Sequence, residues 1–305
     1  MIINTKDIKK HKTGPCVDNI FYAIKPDDKY SNIGKKFAGL GIFTELKHNN
    51  LIIEIPHTER EIIKTKDLLK SDEYQKTKYS LPLIMGLDVF GDVVIKDLDM
   101  MPHLLVTGRV GSGKTVFLKN IYESLSNSDC QFLIIDTKNV DFNGFNKKKN
   151  LFIPVVSDVD RAIRALDFVT EIIDERYVML KKQKFRNIME YRKQFSDMPC
   201  LIVMIDEFAD LMYKNKRITE AFIQYIAQKG RAVGVHLIIA TQKTEKEVLS
   251  DLIMANIPTK IVFQTRDKKQ SVRILGESGA ELLLPFGDML YSEAGRPPLR
   301  IHVGI

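Results

Sequence analysis

The stretch HLLVTGRVGSGKTVFLKNI, residues 103–121, decides the fold of this chain. A short run rich in apolar residues leads into GRVGSGKT at 108–115, and a helical pattern follows directly. The segment 108–115 matches G-x-x-x-x-G-K-[ST], a pattern that holds nucleotide phosphates when it joins a strand to a helix. The sequence therefore predicts an α/β core built around a phosphate-binding loop.

Each residue type in this loop has a physical purpose. The glycines let the backbone bend until successive N–H groups converge on one phosphate, and the following helix adds its positive amino terminus. Lys114 supplies a mobile charge for the β- and γ-phosphates, and the Thr115 hydroxyl is a ligand for Mg²⁺. We therefore expect ATP and Mg²⁺ as cofactors. The expected nucleotide-binding residues are Gly108, Arg109, Val110, Gly111, Ser112, Gly113, Lys114 and Thr115.

From residue 102 onward, strand and helix patterns alternate. The apolar runs that predict strands are HLLVTG (103–108), FLIIDT (132–137), CLIVMIDEF (200–208), VHLIIATQ (235–242) and KIVFQT (260–265). A long helical pattern fills 159–183. Buried parallel strands form continuous apolar runs that alternate with helices, so this segment predicts a mainly parallel sheet covered on both faces. Ligands bind such sheets at the carboxyl ends of the strands.

Two of these strands end in polar residues suited to ATP hydrolysis. LIVMIDEF (201–208) ends in an acidic pair. Asp206 would hold Mg²⁺ through its water shell, and Glu207 would polarise the attacking water as general base. HLIIATQ (236–242) ends in Gln242, whose amide could sense the γ-phosphate and position water.

An arginine stands just ahead of the strand that ends in this glutamine. Arg231 lies in QKGRAVGVHL. Ring-shaped ATPases often place an arginine at the subunit edge, where it reaches the neighbour's γ-phosphate and stabilises transition-state charge. Asp136 and Lys138 end another strand near the same site, and their role is left open. The expected catalytic residues are Lys114, Glu207, Gln242 and Arg231, and the expected metal ligands are Thr115 and Asp206.

The first hundred residues have a more mixed pattern. The predicted elements are a strand in 14–26, a short amphipathic helix in 30–42, a strand in 49–56, a charged linker in 69–82 and a β-hairpin in 83–98. Turn-forming Gly91 and Asp92 separate the two arms of the hairpin. This pattern predicts a small α+β subdomain over 1–82, ahead of an ATPase domain over 83–305.

The composition limits the classes of function. Of the 305 residues, 44% are hydrophobic and 28% charged, as in globular proteins. No apolar run reaches about 18 residues and the start lacks the apolar centre of a signal peptide, so we expect no transmembrane segment and a cytoplasmic location. Cys16, Cys130 and Cys200 show no paired spacing, which argues against a zinc site or a disulfide framework. The net charge of +7 permits an anionic partner such as nucleic acid.

The chain from residue 83 onward resembles the motor domain of the FtsK/SpoIIIE DNA translocases. The segments that carry the resemblance, in family order, are MPHLLVTG (101–108), GSGKT (111–115), IDTKNVDF (135–142), IPVVSDVDRAIRAL (153–166), ERY (175–177), IDEFADLM (205–212), AQKGRAVGVHLIIATQ (227–242), LIMANIPTKIVFQT (252–265), SVRILGESGAELLL (271–284) and GDMLYSEAG (287–295). Thr137 stands where the family usually has proline. GPCVDNIFYAIKP (14–26) and LIIEIPHTERE (51–61) resemble a shortened form of the family's smaller subdomain.

The resemblance implies a RecA-like core, a homohexameric ring and double-stranded DNA threaded through its centre. It assigns 108–115 to nucleotide, Asp206 and Glu207 to magnesium and water, and Gln242 to the γ-phosphate, and it favours Arg231 as the arginine that acts on a neighbouring subunit. The family's membrane region and its carboxyl-terminal winged-helix domain are not recognisable here. We therefore expect a plasmid, phage or integrative-element protein that a membrane or transfer-channel partner could recruit.

Basic loops after the strands are expected to grip DNA phosphates without sequence preference. The candidates are Lys214, Lys216, Arg217, Lys243 and Lys246. Two alternatives stay open. One is a conjugative coupling ATPase that delivers DNA to a transfer channel and would favour single strands. The other is a nucleotide-dependent assembly protein with little turnover, which the presence of Glu207 argues against.

Overall fold

The chain contains two β-sheets. The structure is a computed structural model, and it describes residues 8–23, 43–47, 50–57, 61–195, 197–293 and 296–304. The smaller sheet is antiparallel, with strand order β1-β2-β4-β3. Its strands are β1 (Ile8–Thr13), β2 (Val17–Ala23), β3 (Phe43–Lys47) and β4 (Asn50–Pro56). The strands predicted within 14–26 and 49–56 are confirmed. The helix predicted over 30–42 lies outside the described residues.

The segment between the sheets contains more helix than the sequence pattern predicts. Helices α1 (Thr65–Leu69) and α2 (Asp72–Gln75) occupy it. The prediction of a linker over 69–82 is therefore wrong in part. The Ser71 hydroxyl accepts a hydrogen bond from the Tyr74 N–H at 3.3 Å and so caps the start of α2. The charged composition of this segment gave no sign of that helical turn.

The larger sheet has nine strands in the order β6-β5-β13-β12-β11-β7-β10-β9-β8. The strands are β5 (Pro82–Asp88), β6 (Val93–Asp97), β7 (His103–Thr107), β8 (Cys130–Ile135), β9 (Cys200–Ile205), β10 (Val235–Thr241), β11 (Thr259–Phe263), β12 (Asp288–Ser292) and β13 (Leu299–His302). Strands β11, β7, β10, β9 and β8 are mutually parallel, as predicted. The β5–β6 hairpin is also confirmed.

The helices cover both faces of this sheet. They are α3 (Lys114–Leu125), α4 (Val159–Lys182), α5 (Ile188–Arg192), α6 (Phe208–Lys229), α7 (Asp251–Asn256) and α8 (Lys268–Leu275). Alternate residues of β9 point to opposite faces of the sheet and are buried on both. Leu201 and Val203 join the apolar cluster under α4 and α6, whereas Ile202 and Met204 join the cluster under α3. This two-sided burial explains the uninterrupted apolar runs.

The antiparallel part of the large sheet was not predicted over its full length. Strands β12 and β13 follow β11 and lead to the β5–β6 hairpin through antiparallel pairings. The loop after β5 meets the small sheet, where Asn19 Nδ2 donates to the Val89 carbonyl at 2.8 Å. Within the described ranges, no helix combines the length and apolar character that crossing a bilayer requires.

Candidate nucleotide-binding and hydrolysis site

The phosphate loop spans the gap between the carboxyl end of β7 and the amino terminus of α3. Two of its glycines have conformations that other residues rarely adopt. Gly113 precedes α3 at φ 115°, and a Cβ there would lie 2.9 Å from the Gly287 backbone nitrogen. Gly108 has φ 153°, and a Cβ there would lie 2.6 Å from the Phe263 Cβ. The loop therefore requires glycine at both ends for conformational and steric reasons.

Neighbouring loops brace the phosphate loop from outside. The Arg109 N–H donates to the Gln264 carbonyl at 2.9 Å, beyond the end of β11. The Gly287 N–H donates to the Ser112 carbonyl at 2.9 Å, ahead of β12. The Ser112 hydroxyl also donates to the Arg109 carbonyl at 2.7 Å. These bonds fix the backbone of the loop against its neighbours, while Arg109 itself remains exposed.

Lys114 is the buried cation of the site. Its ammonium donates to the carbonyl oxygens of Gly108 at 2.8 Å and Arg109 at 3.4 Å. Burial lowers the pKa of Lys114 to about 8, and the charges of Glu207 and Asp206 oppose that shift. The ammonium therefore rests against its own loop and has two carboxylates within electrostatic range.

Glu207 is held by three neighbours. The Thr241 hydroxyl donates to Oε1 at 2.7 Å, and the Gln242 N–H donates to the same oxygen at 3.3 Å. The Lys138 ammonium lies 3.4 Å from Oε2. Because β10 lies between β7 and β9, its end residues separate the phosphate loop from the acidic pair and orient Glu207. Glu207 as a whole is 6% exposed, so few orientations are open to its side chain.

Asp206 occupies a strongly negative environment. Burial raises its pKa to about 7, with further increases from Asp141, Asp136 and Glu207 and a decrease from Lys138. A carboxyl group in such a setting gains most from a bound cation, which would remove the repulsion between its charge and its neighbours.

Oxygen atoms suited to magnesium gather beside the phosphate loop. The Thr115 hydroxyl donates to Asp141 Oδ2 at 3.1 Å. Asp136 is fully buried, and its Oδ1 has no hydrogen-bond partner among the described residues. In those residues no three acidic, histidine or cysteine side chains are arranged to hold a metal alone. This set fits Mg²⁺, which is usually bound by one or two protein groups together with phosphates and water.

Asp141 was not among the predicted site residues, and Lys138 was predicted to lie near the site without a role. Both follow β8, on the segment 136–142. The available signal was their position after a parallel strand, because carboxyl ends of neighbouring strands share one sheet edge. What could not be predicted is that β8 lies beside β9, which places these residues next to the acidic pair.

Thr137 stands at the position where the family resemblance leads us to expect proline. Its hydroxyl donates to Asp210 Oδ2 at 2.6 Å, in the first turn of α6. A carboxylate near a helix amino terminus is also favoured by the helix dipole. The threonine therefore ties the segment after β8 to the helix that follows the acidic pair.

Arg231 does not join the other site residues within this chain. It is exposed in a short 3₁₀ helix, Gly230–Val233, immediately ahead of β10. Its charge contributes to lowering the pKa of His103, the first residue of β7. The seven residues of β10 rise about 3.3 Å each, so the arginine is roughly 20 Å from the phosphate-loop edge. This distance leaves Arg231 outside the candidate site of its own chain.

Three of the basic residues expected in DNA-contacting loops lie elsewhere. Lys214, Lys216 and Arg217 are within α6, around a break at Asn215, where φ is −154° and ψ is 83°. The expectation of a loop at these residues is therefore wrong. Lys214 forms an ion pair with Asp160 at 3.1 Å.

The other two basic residues do follow a strand. Lys243 and Lys246 lie in the segment between β10 and α7, and both are exposed. Lys246 pairs with Asp251 at 2.7 Å. No pairing of this kind engages Lys243 among the described residues, which leaves its charge available at the sheet edge that carries the phosphate loop.

A glycine-rich phosphate loop, a lysine at its end and an acidic pair on a parallel strand two positions away define a P-loop ATPase. Comparison with known proteins specifies the family. The model of the FtsK/SpoIIIE family matches residues 65–199 and 195–246. The chain is 34% identical to the DNA translocase FtsK of Haemophilus influenzae, over 97% of this chain and 64% of that protein. This protein therefore belongs to the FtsK/SpoIIIE family.

Further comparisons agree in sequence and in fold. The chain is 35% identical to the DNA translocase FtsK of Borreliella burgdorferi, over 99% of this chain and 41% of that protein. The pCW3 conjugation coupling protein TcpA, solved as a monomer with ATPγS, superposes with a TM-score of 0.71 at 24% identity, over 97% and 88% of the two chains. The cytoplasmic domain of the Thermomonospora curvata type VII secretion ATPase EccC gives 0.70 at 22%, over 80% and 32%. The chain thus spans about two-thirds or less of its curated relatives.

Proposed function

We propose that this protein hydrolyses ATP and uses the energy to move along double-stranded DNA as a ring of identical subunits. One observation carries the ATPase part: Glu207 is oriented by Thr241 and Gln242 at the edge where the phosphate loop opens. The DNA part rests on the name of the relatives, DNA translocase FtsK, at 34% identity over 97% of this chain.

Binding begins with the loop and its lysine. Backbone N–H groups toward the end of the loop and the start of α3 would favour phosphate, and Lys114 would leave the Gly108 and Arg109 carbonyls to face the β- and γ-phosphates. Thr115 and Asp206 would hold Mg²⁺, directly and through water, and the ion would neutralise charge that develops on the phosphates.

Hydrolysis requires a positioned water and a base. Glu207 would take a proton from the attacking water, since its carboxylate is held on both oxygens and cannot turn away. Lys138 adds a positive charge beside Oε2. Gln242 is half-buried and its backbone N–H bonds this carboxylate; its side-chain amide would contact the γ-phosphate or the water.

The position of Arg231 supports the proposal of a ring. An exposed arginine on the opposite sheet edge has no use in hydrolysis within its own chain, whereas a neighbouring copy could receive it at its γ-phosphate. We propose that the active site is completed between subunits, in a hexamer like that implied by the family resemblance, acting in the cytoplasm.

DNA contact would be electrostatic and independent of sequence. Lys243 is the strongest of the five basic candidates, because it is exposed at the edge that carries the phosphate loop. Its replacement by alanine should weaken DNA binding equally for all sequences and reduce the salt dependence by about one unit of slope. An unchanged slope would remove Lys243 from the DNA surface.

Steady-state ATP hydrolysis with linear double-stranded DNA, with single-stranded DNA and without DNA tests the proposal. Lys114→Ala serves as the blank. Strong stimulation by duplex, absent from the variant, is the expected result. Preferential stimulation by single strands would favour the conjugative coupling function, and indifference to both would leave an ATPase whose partner is not DNA.

A further inference from the structure

The Thr115 hydroxyl and the Asp141 carboxylate make a direct contact beside the phosphate loop. Thr115 Oγ1 lies 3.1 Å from Asp141 Oδ2, across 26 residues of sequence. An ionised carboxylate only accepts hydrogen bonds, so the hydroxyl is the donor of this pair. Its two lone pairs are therefore turned away from Asp141 and remain available to a cation.

Asp141 is not a mobile surface residue. The Phe142 N–H donates to Asp136 Oδ2 at 3.0 Å, and the Phe142 ring is fully buried. That ring packs edge-on against Phe145, with centroids 4.9 Å apart. Earlier in the segment, the Asn139 N–H donates to the Asp136 carbonyl at 3.0 Å. The segment therefore presents the Asp141 carboxylate from a fixed backbone.

We propose that Asp141 is a positioning residue for magnesium, which orients the Thr115 hydroxyl so that a lone pair faces the ion. The proposal rests on the proposed MgATP binding and adds a residue to it. Mg²⁺ demands near-ideal octahedral geometry and tolerates misdirected ligands poorly. A hydroxyl without a fixed acceptor rotates, and part of its population presents the proton to the ion.

The surrounding groups support this role. Asp141 contributes to raising the pKa of Asp206, the other expected magnesium ligand, and opposes the lowering of the Lys114 pKa by burial, so all three lie in one electrostatic cluster. Partners of this kind are worth about 10–100-fold in metal affinity in proteins where they have been removed. In the proposed site, Asp141 would therefore act on the magnesium ligand Thr115, whereas Glu207 would act on the attacking water.

Magnesium titration of nucleotide binding tests the proposal without turnover. A fluorescent ADP analogue is bound to the full chain in EDTA and then in increasing MgCl₂. Asp141→Ala should raise the magnesium concentration at half-effect by about 10-fold or more, while binding in EDTA stays unchanged or tightens. Asp141→Asn should be milder, because its amide oxygen still accepts the hydroxyl proton.

A double-mutant cycle separates positioning from a general charge effect. Thr115→Val removes the hydroxyl, so Asp141→Ala should add little further loss in that background. Asp167→Asn is the matched control, since it removes an exposed carboxylate on α4 away from the site. It should leave the magnesium dependence unaltered.

Several results would overturn the inference. They are a half-effect concentration within about twofold of wild type, additive losses in the cycle, equal losses for Asp141→Asn and Asp141→Ala, or weaker binding in EDTA. Failure of the proposed function looks different. In that case the wild-type chain would not bind the analogue, or Lys114→Ala would bind it equally well.

Discussion

Arg300 on β13 forms three buried hydrogen bonds with Asp288 on the neighbouring strand β12. Its Nη2 donates to Oδ2 at 2.6 Å, and its Nε lies 3.1 and 3.2 Å from the two carboxylate oxygens. The same guanidinium donates through Nη1 to Glu54 of the small sheet. Asp288 directly follows Gly287, whose N–H is bonded to the phosphate loop. One buried ionic group therefore connects the small sheet to the segment that braces the nucleotide site.

Arg300→Met should destabilise the fold by about 3–5 kcal/mol, because it removes a buried cation that bonds two buried carboxylates. Arg296→Met is the matched control. Arg296 pairs with Glu293 at 2.9 Å but is 70% exposed, so its loss should change stability by less than about 1 kcal/mol. Urea unfolding of the two variants measures the difference. Equal effects would mean that the buried group is not structurally important.

Glu207→Gln should reduce ATP turnover by about 10²–10³-fold and leave ATP binding intact, since the amide cannot take a proton from water. Thr241→Val should give a smaller loss, about 10-fold, because it removes one hydrogen bond that orients the base. Single-turnover hydrolysis beside equilibrium nucleotide binding separates the two effects. Unchanged turnover in Glu207→Gln would favour a nucleotide-dependent assembly protein.

A ring made only of Arg231→Ala subunits should not hydrolyse ATP. Hydrolysis should return when these subunits are mixed with Glu207→Gln subunits. A neighbour with intact Arg231 can complete a site that has an intact Glu207. Random mixing of equal amounts should restore about a quarter of the interfaces in a ring. ATPase activity across mixing ratios measures this recovery. No recovery at any ratio would show that Arg231 does not act across subunits.

Two buried histidines should make stability fall in acid. Burial lowers the pKa of His103 to about 3 and that of His236 to about 4. Below about pH 6.5 these two histidines take up protons in the unfolded chain but stay neutral in the folded chain. Their contribution to stability is therefore present above that pH and is lost as the pH falls. The expected slope is up to about 1.4 kcal/mol per pH unit for each histidine.

His103→Asn tests this pH dependence. The His103 Nδ1 accepts the Leu237 N–H at 3.0 Å, and an asparagine oxygen can accept in its place. Unfolding free energies of the variant and the wild type should converge, or reverse in order, between pH 7.5 and pH 5. A constant difference across that range would show that His103 titrates normally.

The strand-level pattern was predictable because it depends on neighbours in sequence. The runs at 132–137 and 201–208 gave strands β8 and β9, since continuous apolar residues can be buried on two faces only inside a covered sheet. The antiparallel strand β13 was not predicted, because LRIH is short and carries the arginine that pairs with Asp288.

The sequence by itself determined the phosphate loop, the parallel strands and the residues at their ends, because backbone geometry and side-chain periodicity act over a few residues. Only the tertiary structure decided which ends meet. It placed Asp141 against Thr115, 26 residues away, and Arg300 against Glu54, 246 residues away. The order of the strands in the sheet sets these contacts. That order depends on how the whole core packs, so it cannot be read from any short segment of sequence.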